Sequence, residues 1–387
     1  MEIQGLALEK LLITIGEPNL MKISITSDIH LSTKHPERSK AFEDILKQSE
    51  SAGITDLIIA GDLFDSDGDD SAYSSFLEPC RRHPDIRIHL LPGNHDSEKS
   101  LRDLHFEQLI KYTNSQMVNL GGISFLFIPY QSGISMSEEL DLMSDKLLEK
   151  PLCLIGHGDF IDGQRVPNPR EKGVYMPLKK GDLSNPNLLR VFLGHIHKPT
   201  PINQPLGGKV IYPGSPQGLD ISETGPRRFL VYDTSQNEVS QRTVNSGKIY
   251  LEEKFFVVPS NDQVARLLSD LNKRAEDGKW VEFINRLEIR FTLEGFTSDK
   301  DELLQAFEGQ IRQMGVFLYR GSGNTLKPNP NFDALLSSRD KQLDLVAEKA
   351  LEEIDGLVAQ GWAFGDINQP NLEEVKMSAL RAIYQDR

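Results

Sequence analysis

Apolar residues along this chain come in short continuous runs, each broken by glycine or proline and then a polar cluster. Residues 22–27 (KISITS) form the first run, followed by a loop and a helical stretch over 36–51. TDLIIAGD, IRIHLLPGNHD, ISFLFIPY, PLCLIGHGD and LLRVFLGHIH repeat the theme, KVIYPGSP and RRFLVYD add two more strands, and a helix is expected near 71–83. A continuous apolar run ending in Gly-Asp is how a buried parallel strand reads when it delivers a residue to a loop. Strand–helix alternation of this kind predicts α/β layers, here a sheet sandwich flanked by helices. The polar clusters fall at the C-terminal ends of strands, where open α/β sheets form their ligand crevices.

Around Gly247 the pattern changes. Residues 253–320 read as strand (EKFFVV), helix (about 261–277), strand (RLEIRFTL), helix (about 299–313) and strand (GVFLYR), a compact βαβαβ unit without His or Cys. GSGNTLKPNPN, at 321–331, has the Gly, Pro and Asn content of a linker, and helices are expected at 340–359 and 371–385. The expected division is an N-terminal extension (1–20), a main α/β domain (21–250), a small α/β cap (251–325) and a linker with a helical tail (326–387). Residues 1–20 carry Glu2 ahead of their apolar stretch and no small-residue cleavage site, so they do not read as a signal peptide but as an appendage before Met21.

Composition narrows the function classes. The chain has 387 residues, 38% hydrophobic and 26% charged, the balance of a soluble globular protein of two or three domains. No apolar run approaches the ~20 residues that span a bilayer. The net charge of −14 argues against holding nucleic acid by overall electrostatics. It leaves room for an enzyme acting on nucleic acid, because bound cations supply local positive charge that a residue count omits. The two cysteines, Cys80 and Cys153, have no metal-like spacing, and a reducing, cytoplasmic compartment is expected.

Five polar clusters carry the chemistry: Asp28-Ile29-His30, Gly61-Asp62-Leu63-Phe64-Asp65, Gly93-Asn94-His95-Asp96, Gly156-His157 and Gly194-His195-Ile196-His197. Imidazole nitrogens with carboxylate and amide oxygens form a borderline-to-hard donor set, suited to Mn, Fe or Zn. The absence of cysteine from every cluster argues against a structural zinc knuckle. Each cluster alone is commonplace and reads as a cap or a core residue. All five in order, each after an apolar strand, are not. His35, His83, His89 and His105 lie outside the clusters and read as surface or packing residues.

These clusters resemble the calcineurin-like metallophosphoesterase superfamily across residues 22–245. The resemblance implies that Asp28, His30 and His197 hold one metal, that Asn94, His157 and His195 hold another, and that Asp62 bridges the two. It further implies hydrolysis by a metal-activated water, with His95 serving the leaving oxygen and the Asp65 carboxylate orienting His95. SDIHLS, AGDLFDSDG, LPGNHDS, GHIHKP and YPGSPQGLDISETGPRRFLVYD look more narrowly like the SbcD nuclease family. That likeness implies an exo- or endonuclease in DNA repair and recombination, whose cap contacts DNA and whose tail helices bind an SbcC-like coiled-coil ATPase, while the His-rich ligand set points to manganese. Expected partners are therefore DNA, that ATPase and a second copy of the chain, with no membrane.

The cap departs from this picture. Residues 251–330 hold 11 Lys and Arg against 13 Asp and Glu. The most basic stretch is GQRVPNPREKGVYMPLKKG, where Arg165, Arg170 and Lys172 either face a substrate backbone or belong to a solvated loop. A small-molecule phosphodiesterase and a non-catalytic scaffold of the same fold remain the alternatives. The extra 140 or so residues count against the first, and the complete ligand set with His95 against the second.

Overall fold

The computed structural model describes residues 21–65, 72–97, 101–143, 151–162, 173–319, 335–337, 341–359 and 372–385. The chain forms two compact units. One runs to Leu219 and adds Pro226–Gly247; the other takes Asp220–Gly225 and everything from Lys248.

In the first unit the chain order is β1 (Lys22–Thr26), α1 (Pro36–Ser51), β2 (Asp56–Ala60), α2 (Ala72–Arg82), β3 (Arg87–Leu91), β4 (Leu109–Lys111), β5 (Gln116–Leu120) and β6 (Ile123–Ile128). It continues with α3 (Met136–Leu142), β7 (Leu152–His157), β8 (Phe160–Ile161), β9 (Leu178–Lys179), β10 (Leu188–Gly194), β11 (Val210–Ile211), β12 (Arg228–Asp233) and β13 (Glu238–Thr243). Among the described residues two main sheets form, ordered β13-β12-β1-β2-β3-β4 and β11-β10-β7-β6-β5. Their centres are parallel, and antiparallel strands close edges of both.

The period of two explains the layers. On β2, Leu57 and Ile59 pack with Phe42, Ile45 and Phe76 under helices α1 and α2. Ile58 and Ala60 point the other way, into a core with Phe125 and Phe127 of β6, Ile155 of β7 and Phe192 of β10. The outer face of the second sheet buries Leu126, Leu154 and Val191 with Met136 of α3. A strand covered on both faces has no polar position to spare, hence the unbroken apolar runs. Each fully buried Leu, Ile or Phe contributes ~1.5–3 kcal/mol of transfer free energy.

His89, on the same face as Ile58, is a buried structural residue. Its Nε2 meets Asp56 Oδ1 at 2.9 Å and its Nδ1 meets the Tyr112 hydroxyl at 2.7 Å.

The second unit carries β14 (Ile249–Val257), α4 (Gln263–Asp277), α5 (Trp280–Phe283), β15 (Leu287–Thr297), α6 (Lys300–Met314), β16 (Phe317–Leu318), β17 (Leu335–Ser337), α7 (Lys341–Ala359) and α8 (Leu372–Gln385). Strands β14, β16 and β17 all pair parallel to β15. Leu267, Leu271, Leu303 and Phe307 bury α4 and α6 against Phe255, Ile289 and Phe291. Helices α7 and α8 pair through Ala347, Leu351 and Leu380, and this seam closes over Phe296 of β15. Among the described residues, no helix is long and apolar enough to cross a membrane.

Candidate metal centre

Strand ends β1, β2, β3, β7 and β10 deliver the polar clusters to one place. Asp28 N–H donates to the Gly61 carbonyl and His30 N–H to the Asp62 carbonyl, both at 3.0 Å, so the first two loops run side by side. His195 N–H donates to Asp28 Oδ1 at 2.8 Å, and His95 N–H to Asp62 Oδ1 at 2.9 Å. Glycine is obligatory where these loops touch. A Cβ on Gly194 would overlap the Ala60 carbonyl, and one on Gly93 would overlap Asp62. Four non-glycine residues here have left-handed backbone: Asp28 (φ 53), His30 (φ 50), Asp62 (φ 53) and His195 (φ 93). Such residues cost on the order of 1–3 kcal/mol each and persist only where neighbours fix them.

Among the described residues, three overlapping groups of ligand-capable atoms result, each within 4.8 Å: Asp28, His30 and His197; Asp28, Asp62 and His157; and His30, Asp62 and His95. Asp62 Oδ2 lies 3.6 Å from His30 Nε2 and 3.4 Å from His157 Nε2, between the two histidines. Asn94 Oδ1 is 2.9 Å from His157 Nε2 and 3.2 Å from His195 Nδ1. All seven residues expected as ligands therefore converge, with His95 beside them at 4.9 Å between ring centroids from His30. His95 also falls within ligand reach of His30 and Asp62, so proximity alone does not separate a ligand from a proton donor. Arg165, Arg170 and Lys172 lie outside the described residues.

The donor set fits divalent cations. His30 Nε2 and His197 Nε2 face each other at 3.2 Å, an approach that a cation accepting both lone pairs would satisfy. Asp28 and Asp62 are fully buried carboxylates. Burial alone would raise the Asp62 pKa, yet His157, His30 and His95 hold it well below the usual carboxylate range. Burial alone would lower the His157 pKa, but Asp62 first and Asp28 next pull it up to about 9, so the pocket strongly favours positive charge at this position. His157 Nδ1 donates to the Ala60 carbonyl at 2.9 Å, which turns Nε2 toward the site, the usual second contact of a ligating imidazole.

Asp65 acts through a different atom than expected. Its main-chain carbonyl, not its carboxylate, accepts from His95 Nδ1 at 3.0 Å. The carboxylate sits 3.2 Å from Arg38 Nη1 and 3.6 Å from His30 Nδ1. Burial pushes its pKa up, but His30 and Arg38 outweigh this and bring it to about 2. The orienting contact on His95 survives any substitution that keeps the backbone.

Two contributors escaped the sequence reading. Asp96 is buried and accepts from the N–H groups of Gly93, Leu63 and Phe64 at 3.0, 3.2 and 3.1 Å, tying the Asp62 loop to the His95 loop. Burial and the nearby Asp62 charge raise its pKa against those three donors. It ends the Gly-Asn-His-Asp cluster, so its position is legible in the sequence, whereas its three backbone partners are not. Arg38, buried in the first turn of α1, left no signal at all.

Residues 21–199 match the family model for calcineurin-like phosphoesterase. Among solved structures the chain is similar to TT1561 of Thermus thermophilus, at 15% identity and TM-score 0.39, over 58% of this chain and 100% of that one. A protein described as a novel archaeal phosphodiesterase aligns at 17% identity and TM-score 0.32, over 58% of this chain and 99% of that one. Purple acid phosphatase PPD1 from yellow lupin seeds aligns at 12% identity and TM-score 0.42, over 61% of this chain and 53% of that one. No curated protein matches the sequence. Residues 21–199, under half of the 387-residue chain, thus match the calcineurin-like phosphoesterase family model, and the groups that could hold metal ions gather within that stretch.

Proposed function

We propose that this chain is a two-metal DNA nuclease of SbcD type, working with an SbcC-like coiled-coil ATPase that engages its C-terminal helices. The hydrolytic half of the reading is carried by Asp62, whose Oδ2 lies between His30 and His157 and so can join two metal positions. Asp28, His30 and His197 would hold one ion, and Asn94, His157 and His195 the other. Bound there, divalent ions supply Lewis-acid stabilisation of the phosphoryl oxygens and lower the pKa of the attacking water.

The chain's own groups do the rest. Asp65 O keeps the His95 proton on Nδ1, which leaves Nε2 to exchange a proton with the leaving oxygen. Asp96 fixes the spacing between Asp62 and His95 through three backbone donors. DNA as substrate is supported by the SbcD-like segments, above all YPGSPQGLDISETGPRRFLVYD, and by a second unit that a small phosphodiester does not require.

The test is hydrolysis of labelled single- and double-stranded DNA with Mn²⁺ and with Mg²⁺. Turnover is expected in Mn²⁺ and little in Mg²⁺, because magnesium prefers oxygen ligands and keeps its waters. Good turnover of a cyclic nucleotide with none on DNA overturns the nuclease assignment, and equal turnover in Mg²⁺ overturns manganese.

A further inference from the structure

Two buried arginines hold the His30–His197 pair from behind. Arg38 Nη1 donates to the main-chain oxygen of His30 at 2.7 Å. Arg227, just before β12, donates from Nη1 to the main-chain oxygen of His197 at 3.2 Å. The two side chains are 4% and 6% exposed. The His197 oxygen also accepts from Ser215 N–H at 3.2 Å, and a Cβ on Gly214 would press to 2.6 Å from that oxygen. His157 is held differently, by its own ring through Nδ1 to the Ala60 carbonyl.

Left-handed backbone occurs at ligand-bearing residues across the site, and His30 is the one whose carbonyl an arginine grips. His30 has left-handed backbone, and a ligand borne on such a residue swings with its peptide plane. A guanidinium gripping the carbonyl fixes that plane, and the imidazole direction follows. Electrostatics push the other way, since removing either guanidinium, Arg38 with its partner Asp65 included, leaves the pocket more negative and favours a bound cation. The two roles therefore predict opposite signs when the arginines are removed.

We propose that Arg38 and Arg227 are positioning residues that set His30 and His197 as the ligand pair of one metal position. The position served by Asn94, His157 and His195 does not depend on them. The proposal rests on the two-metal reading given above.

The experiment is Mn²⁺ titration of the full-length chain by calorimetry, with bound metal counted by elemental analysis, for wild type, Arg38→Met, Arg227→Met and the corresponding lysine variants. The expected result is weakening of one of two sites by about 10–100-fold in each methionine variant, with the other site unchanged and partial recovery in lysine. Gly214→Ala crowds the same His197 carbonyl without altering a charge and should lower affinity at the same position. It carries the test if a methionine variant does not fold. Tighter binding, equal loss at both sites, or no change overturns the proposal. A wild-type protein that takes up fewer than two Mn²⁺ overturns the two-metal reading and this inference with it; a wild type that binds two, beside unchanged variants, overturns this inference alone.

Discussion

The two units of this chain solve opposite problems with the same strand–helix grammar. In the first, strand ends carry buried carboxylates and imidazoles on left-handed backbone, and several hydrogen bonds serve only to keep them in place. In the second, Ile289 and Phe291 of strand β15 pack with Phe255 and Phe307 in an apolar core, and none of the metal-capable groups among the described residues lies there. The first unit sacrifices local comfort for chemistry; the second has no such conflict. Substitutions should therefore separate cleanly into those that disable the reaction and those that only loosen the fold.

The largest effect is expected at the centre of the first unit. Under the two-metal reading, Asp62→Ala should abolish phosphodiester hydrolysis and lose bound metal, because its carboxylate lies between His30 and His157. His95→Ala should lower the rate by ~10²–10⁴-fold while two ions stay bound. Elemental analysis beside hydrolysis rates decides between these roles. Loss of both metals in His95→Ala would show that His95 is a ligand, which its proximity to His30 and Asp62 permits.

In the second unit the effect should fall on stability alone. Phe307→Ala removes a fully buried ring packed on Phe255 and Phe291 and should cost ~3–5 kcal/mol of that unit's stability. Hydrolysis of a small chromogenic phosphodiester, measured below the unfolding transition, should be unchanged. A matching drop in that activity would break the separation of roles.

How much of this was legible in the sequence follows from the same physics. Strands β1, β2, β3, β7 and β10 are buried on both faces, so continuous apolar runs announced them, and the polar residues after each run announced the site. Strand β13 (EVSQRT) is an exposed edge with no apolar signal, and β4 has only three residues. Arg38 and Arg227 reach the site through contacts that spacing cannot express. Asp65 was found as a residue but assigned through the wrong atom, because a sequence does not say whether a carbonyl or a carboxylate will face a ring. The tail helices were read from their apolar stripes, but their seam over Phe296 depends on a partner some fifty residues away in the chain.

A smaller and pH-dependent effect is expected at the opposite end of the β2–β3 pair from the metal centre. Burial alone would raise the Asp56 pKa, but hydrogen bonds from His89, Arg87 and Thr55 bring it down to about 2 from its ordinary 3.8. A carboxyl whose pKa is depressed on folding adds stability above its unfolded pKa and loses it as pH falls through the folded one. Asp56 should thus support the fold fully above about pH 4 and progressively less toward about pH 2. Asp56→Asn should cost ~1–3 kcal/mol at neutral pH, since it leaves buried donors poorly matched. It should also flatten the acid limb of the stability curve in that window, as denaturant melts at several pH values would show. An unchanged acid limb would place the acid sensitivity in other carboxylates.

The smallest effect on stability is expected on α7, where it should coincide with a large effect on association. Leu351 and Ala347 are buried against α8, whereas Leu345, Val346, Leu357 and Val358 are 58, 51, 37 and 48% exposed. Removing exposed side chains costs the fold little, within about 0.5 kcal/mol each. Val346 and Leu357, about three turns apart, lie on one side of α7, and apolar anchors so placed suit a groove-binding mode, in which they enter a hydrophobic partner surface. Under the SbcD-type reading that surface belongs to the base of the coiled-coil ATPase. Val346→Ser with Leu357→Ser should leave the melting temperature and the hydrolysis of small phosphodiesters unchanged while abolishing co-purification of the ATPase. Leu351→Ala, which opens the seam over Phe296, should instead lower stability first and association only as a consequence. Full co-purification by the doubly serine-substituted chain would remove the exposed face of α7 from the partner interface.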